Sequence, residues 1–191
     1  MNKTHLLAAL SLILGGSLLL AGCGQHESSQ SATPAGAASA SQAAAPVPAN
    51  PGPTVPVKAT SISNQALDSA HSGGMCSLDA VSAQGATNDS FAMAPSTAMV
   101  FGGWAATTDK KNPGHIVLVL KGAESFQAQG STGGERADVA KTFNSSDLTQ
   151  SGFNTVVDTT TLPKGTYQLM VLEPGTNPPT LCDTHKTLVL E

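Results

Sequence analysis

His115-Ile116-Val117-Leu118-Val119-Leu120-Lys121 is the stretch whose reading decides the fold. Side chains on a strand alternate between faces, so His115, Val117, Val119 and Lys121 share one face and Ile116, Leu118 and Leu120 share the other. Both faces are apolar through the middle, as a strand near the centre of a sandwich requires. Six further segments suit strands: 75–82, 99–106, 125–129, 152–158, 166–172 and 186–190. They are rich in Val, Leu, Phe and Thr, and Gly, Pro, Asn or Asp punctuate the gaps. One helix is expected over 135–143, where Val139 and Phe143 stand four apart, as do Arg136 and Ala140. About seven short strands at nearly regular spacing with one short helix predict an all-β sandwich rather than an α/β fold. Gly130-Ser131-Thr132-Gly133-Gly134 reads as a flexible turn, without the Lys that phosphate cradling needs.

The folded part is expected over 59–191, the size of one small domain. It carries seven Lys/Arg against twelve Asp/Glu, and Arg136 is its only Arg. A nucleic-acid partner requires a basic face to neutralise phosphates, so nucleic acid is excluded as a partner. Direct attraction to anionic lipid is disfavoured for the same reason.

The chain opens differently. Lys3 and His5 form a polar head, residues 6–20 are Leu, Ile, Ala, Gly and Ser, and small residues lead to Cys23. The run is too short for a stable span, which needs about 20 apolar residues, and has the anatomy of an export signal. Leu20-Ala21-Gly22-Cys23 resembles the lipobox of bacterial lipoproteins. That resemblance implies a signal peptide over 1–22 and lipidation of Cys23 as the first mature residue. Two acyl chains on one thiol, with a third on the new amino terminus, suffice for stable anchoring. Gly24 stands where inner-membrane-retained relatives tend to carry Asp, so the resemblance points to the outer membrane, with the domain in the periplasm. A plain secretory signal with an incidental Cys is the rival reading.

Residues 23–58 are dominated by Ala, Ser, Pro, Gln and Gly. Such a stretch buries too little surface to offset its ordering entropy, so a disordered tether is expected, spanning roughly 30–35 Å. Pro48 to Pro51 and Pro53 to Pro56 both fit Pro-x-x-Pro, but no Arg flanks either, and a spacer is the simpler reading.

Four motifs fall in order along the domain: Gly103-Trp104-Ala105, Arg136-Ala137-Asp138-Val139-Ala140, Ser151-Gly152-Phe153 and Leu162-Pro163-Lys164-Gly165-Thr166-Tyr167. The chain thereby resembles a little-characterised Ig-like sandwich module of bacterial envelope proteins, over about 76–190. The resemblance implies an Ig-like β-sandwich and carries no catalytic residue across. Trp104 reads as a plug between sheets, or else as an exposed platform for stacking a sugar. Tyr167, after a Leu-Pro-x-Gly corner, reads as a tyrosine corner whose hydroxyl ties back a crossover. Arg136 either pins the helical crossover to the sandwich, with Asp138 favouring the helix start, or grips an anion in a ligand pocket.

Cys76 and Cys182 bracket the domain, and an even pair in an exported protein most simply forms a disulfide. The rival is a zinc site, since His71 and His185 lie near the two thiols. No Gly-x-Ser-x-Gly, His-Glu-x-x-His or phosphate-loop motif occurs. Asp109, His115 and Asp138 form a triad only if the fold assembles them. No cofactor is expected. The sequence therefore points to a lipid-anchored envelope protein presenting a non-catalytic β-sandwich to a protein or glycan. A periplasmic small-ligand or sugar binder using Trp104 and Arg136 is the alternative, and a hydrolase with an unrecognised site is a third.

Overall fold

The two apolar faces of the 115–121 segment are both covered, each by a different part of the molecule. A computed structural model describes residues 55–85 and 87–191. The expected signal peptide, Cys23 and most of the expected tether lie outside the described residues. In order, the described elements begin with β1 (Val57–Lys58), β2 (Thr60–Ile62), α1 (Asn64–Asp68) and β3 (His71–Ser72). The chain continues through β4 (Met75–Val81), β5 (Gln84–Gly85), β6 (Ser90–Met93), β7 (Met99–Ala106), β8 (His115–Lys121) and β9 (Ser125–Gly134). Next come α2 (Ala137–Phe143), a 3-10 turn (Ser146–Leu148), β10 (Gly152–Asp158), β11 (Gly165–Glu173) and β12 (Thr180–Leu190). The fold is all-β with short helices.

All seven expected strands are present, and five strands of two to four residues extend the sheets at their margins. One sheet runs β5-β4-β7-β10, and the other runs β12-β11-β8-β9. Short strands β3 and β6 pair in parallel with opposite ends of β12, while β2 pairs with β9. Val57 and Lys58, expected at the end of the tether, already pair with Val157 and Asp158 of β10. The apolar Val57 side chain packs on the main core, which draws these two residues into the domain.

The 130–134 glycine run is a correction to the sequence reading: it is strand, not turn. Strand β9 pairs with β8 as far as Ser131, then passes to the other sheet, where Thr132 and Gly134 face Phe153 and Gly152 of β10. A Cβ on Gly130 would stand 2.5 Å from Thr155 Oγ1. The missing side chain therefore lets the two sheets share one strand where they approach. That continuity links all twelve strands into one hydrogen-bonded network.

Between the sheets lies the main core, built from Leu78, Phe101, Ile116, Leu118, Leu120, Phe153, Leu169 and Val171 among others. On the outer face of β8, Val117 and Val119 form a second cluster with Met170, Leu181 and Leu67 of α1. Helix α1 was not foreseen. Ser63 caps it by accepting a 3.2 Å hydrogen bond from the Ala66 amide, and Leu67 is its single buried side chain. Full burial of one such Leu contributes about 2 kcal/mol. A third cluster covers the opposite outer face, where Val139 of α2 and Leu148 of the 3-10 turn cover Ala106. Each sheet thus has a helix strapped across its outer surface. Among the described residues no helix is long and apolar enough to cross a membrane.

Candidate functional site

Trp104 and Arg136 come together on the outer face of the β4-β7-β10 sheet. Strand β7 turns Phe101 and Ala105 inward, so Trp104 projects outward, opposite Ser77 of β4 and Gly152 of β10. Trp104 is half-buried against Phe143 of α2, with ring centroids 5.4 Å apart and planes tilted by 53°. Neither sequence reading places it there: Trp104 is not between the sheets, and its indole is partly covered by a helix rather than laid open as a platform. The physical reason is strand parity, which sets the ring on the face that α2 covers.

Arg136 immediately precedes α2. Its Nε and Nη2 donate to the two oxygens of Asp138 at 2.9 and 2.8 Å, and its Nη1 donates to Asp79 Oδ2 at 2.6 Å. Asp79 lies on β4, where Ser77 Oγ also donates to its other oxygen at 3.1 Å. The Arg136 side chain is only 14% exposed. Hydrogen bonds to Asp138 above all, then the charge of Asp79, hold the guanidinium above its ordinary value against the opposing effect of burial. The Arg136 fork holds the Asp138 carboxyl below the usual carboxylate range. Every guanidinium nitrogen carries a carboxylate partner, and the three charges sum to −1. Such an arrangement tethers a helix; it does not attract an anion.

Tyr167 lies away from this face, in the main core. Its hydroxyl donates to the Pro163 carbonyl at 2.7 Å, and its ring meets Phe126 edge-on. This is the geometry that the Leu-Pro-x-Gly corner predicts. Burial raises the Tyr167 hydroxyl above its ordinary value, and Glu124 adds to the effect.

Cys76 and Cys182 form a disulfide across the two sheets, with Cα atoms 6.2 Å apart. Neither sulfur is then a thiolate, so the zinc alternative loses half its ligands. The triad does not assemble either. His115 Nε2 faces Gln129 Oε1 at 2.7 Å, and both oxygens of Asp138 are taken by Arg136.

Two residues escaped the sequence reading. Asp79 is distant from Arg136 in sequence, and no local pattern pairs them. Glu173 ends β11 with its side chain turned inward, following Tyr167, Leu169 and Val171 on the same face. It is 1% exposed, and neither carboxylate oxygen has a hydrogen-bond partner among the described residues. Burial pushes its carboxyl up to about 7. Period-two alternation along β11 was the available signal, since it assigns this position to the interior.

Comparison of the chain with protein families, with curated proteins and with solved structures found no match.

Proposed function

We propose that this chain is a bacterial lipoprotein, anchored in the cell envelope through lipidated Cys23, whose Ig-like sandwich contacts another envelope protein or a glycan without catalysing a reaction. The lipobox-like Leu20-Ala21-Gly22-Cys23 supports the anchor. The ordered Gly-Trp-Ala, Arg-x-Asp-Val-Ala, Ser-Gly-Phe and Leu-Pro-x-Gly-x-Tyr motifs support likeness to the envelope module. One observation favours a non-catalytic domain above the others. The side chains that looked chemically active are engaged within the fold: Arg136 with two carboxylates, Tyr167 with a backbone carbonyl, and Cys76 with Cys182. Residues committed in this way hold elements in place. They also weaken the case for a small-ligand pocket built on Arg136.

Fractionation of cells expressing the full chain tests the reading. The wild type is expected in the outer-membrane fraction, and Cys23→Ser in the soluble or uncleaved fraction. Equal partitioning of the two forms contradicts it. Crosslinking of the anchored wild type in cells, with identification of the captured partner, then addresses the sandwich itself.

A further inference from the structure

Glu173 is buried at the end of β11, on the inward face that Tyr167, Leu169 and Val171 share. Burying a carboxylate without a partner is costly, and such a group calls for an explanation in terms of use. Gly74, at φ +74°, makes the space: a Cβ there would stand 2.7 Å from Glu173 Oε1. The residue also lines a cavity of about 260 Å³ with Thr107, Thr108, Asp109 and Thr176. A neighbouring cavity of about 310 Å³ shares Thr108 and Thr176 and adds His71 and Thr180. Two connections at one end of the sandwich, 107–114 and 174–179, supply most of both walls. Loops at the end of a sandwich, held by a rigid frame, are where such domains place recognition.

The lining is rich in oxygen. Thr107, Thr108, Thr176 and two acidic residues, Asp109 and Glu173, line the first cavity, against one cation, Lys111; the Glu173 carboxylate itself sits behind the wall, against Gly74. Thr176 is already ordered, with Oγ1 3.0 Å from the Glu173 carbonyl oxygen and 2.9 Å from Thr180 Oγ1. An ionised carboxylate is an acceptor only, and it gains most from a donor that also carries positive charge. The volume is below that of pockets that hold drug-sized ligands, so the occupant is small.

We propose that this cavity binds a small organic cation with N–H donors, an ammonium or guanidinium compound, and that the Glu173 carboxylate is its counter-charge. Binding requires the carboxyl to move forward from its place against Gly74, because water reaches neither oxygen in the unliganded fold. The site lies apart from Arg136 and does not depend on the lipid anchor. Affinity falls as pH drops below about 7, where Glu173 holds its proton. Asp109, Lys111 and His71 are the other charged or titratable groups facing the two cavities.

Calorimetric titration of the full chain at about pH 8 tests the proposal, with methylguanidinium and 1,4-diaminobutane as probes. Tetramethylammonium, which has charge but no N–H, is the control at equal ionic strength. Both donor cations are expected to give saturable heat, and tetramethylammonium none. Glu173→Gln keeps the shape and removes the charge, and is expected to weaken binding about tenfold or more. Amide shifts on titration are expected to concentrate at 107–113 and 173–180. Absent saturation, equal binding by tetramethylammonium, undiminished binding by Glu173→Gln, or shifts centred on Asp79 and Asp138 would each overturn it.

Discussion

Arg136 Nη1 lies 2.6 Å from Asp79 Oδ2, joining residues 57 apart in sequence and tying the start of α2 to β4. The remainder of the guanidinium grips Asp138 in the first turn of the same helix. One planar group therefore fixes both where the helix starts and which strand it lies over. Lys has no such fork: its ammonium is a point charge on a flexible stem.

Arg136→Lys is accordingly expected to lower stability by about 1–2 kcal/mol, read from the urea midpoint. Asp79→Asn should show a smaller loss, and the double variant should lose less than the two single losses combined. An unchanged midpoint in Arg136→Lys would remove the structural role assigned here.

The disulfide closes a long loop, with a sequence separation of 106. Chain entropy sets an upper value of about 4.7 kcal/mol for a loop of this size, and measured losses are typically about 2–4 kcal/mol. The paired change of Cys76 and Cys182 to Ser is expected to cost that much in thermal or urea unfolding. Thiol titration of the denatured, unreduced chain should find neither of these two sulfurs free.

Glu173 gives stability a pH dependence of known sign. Its folded-state carboxyl is raised from 4.5 to about 7 by burial. Below 4.5 the group is protonated in both the folded and unfolded chain and carries no penalty. As pH rises to about 7 the unfolded chain ionises while the fold retains the proton, so stability falls; above that it levels off. The full displacement corresponds to about 3 kcal/mol. Glu173→Gln should therefore be more stable than wild type at pH 8 and should flatten the difference between pH 5 and pH 8. A wild-type profile already flat across that interval contradicts the burial of a free carboxyl.

Trp104 is the only Trp, so its fluorescence reports one site. Half-buried beside Phe143, it should be quenched by acrylamide to an intermediate degree. Phe143→Ala should raise the quenching constant clearly while leaving the main core intact, because Phe143 packs in the outer cluster. Quenching as weak as in a sealed core, insensitive to Phe143, would place the indole elsewhere.

The long strands were legible because each runs seven residues or more in the fold and carries enough side chains to show its period. Helix α2 was legible through Val139 and Phe143. Apolar residues on both faces of β8 announced that both would be covered, but not by what: α1 is five residues with one buried side chain, too short to leave a pattern. The strands of two to four residues were missed for the same reason. Strand β9 was cut short because glycines that normally mark a turn here permit close approach to Thr155. Strand β12 likewise extends back to Thr180. His185, at φ +57°, and Thr184 form a bulge between the residues pairing with Leu169 and Met170, which hides the alternation. At the candidate site, Arg136 and Asp138 were visible as neighbours, whereas Asp79 needed the sheet to bring it near. Trp104 was visible as a residue but not as a position, since its face depends on the register of β7 against β4 and β10.

The anchor is the central claim, because it sets where the sandwich works. Intact mass and amino-terminal fragmentation of the mature protein purified from bacterial membranes test it most directly. The account predicts a chain that starts at Cys23 and carries the added mass of a diacylglyceryl group and an amide-linked acyl chain. A chain that still begins at Met1, or one that begins at Cys23 with a bare thiol, would contradict it.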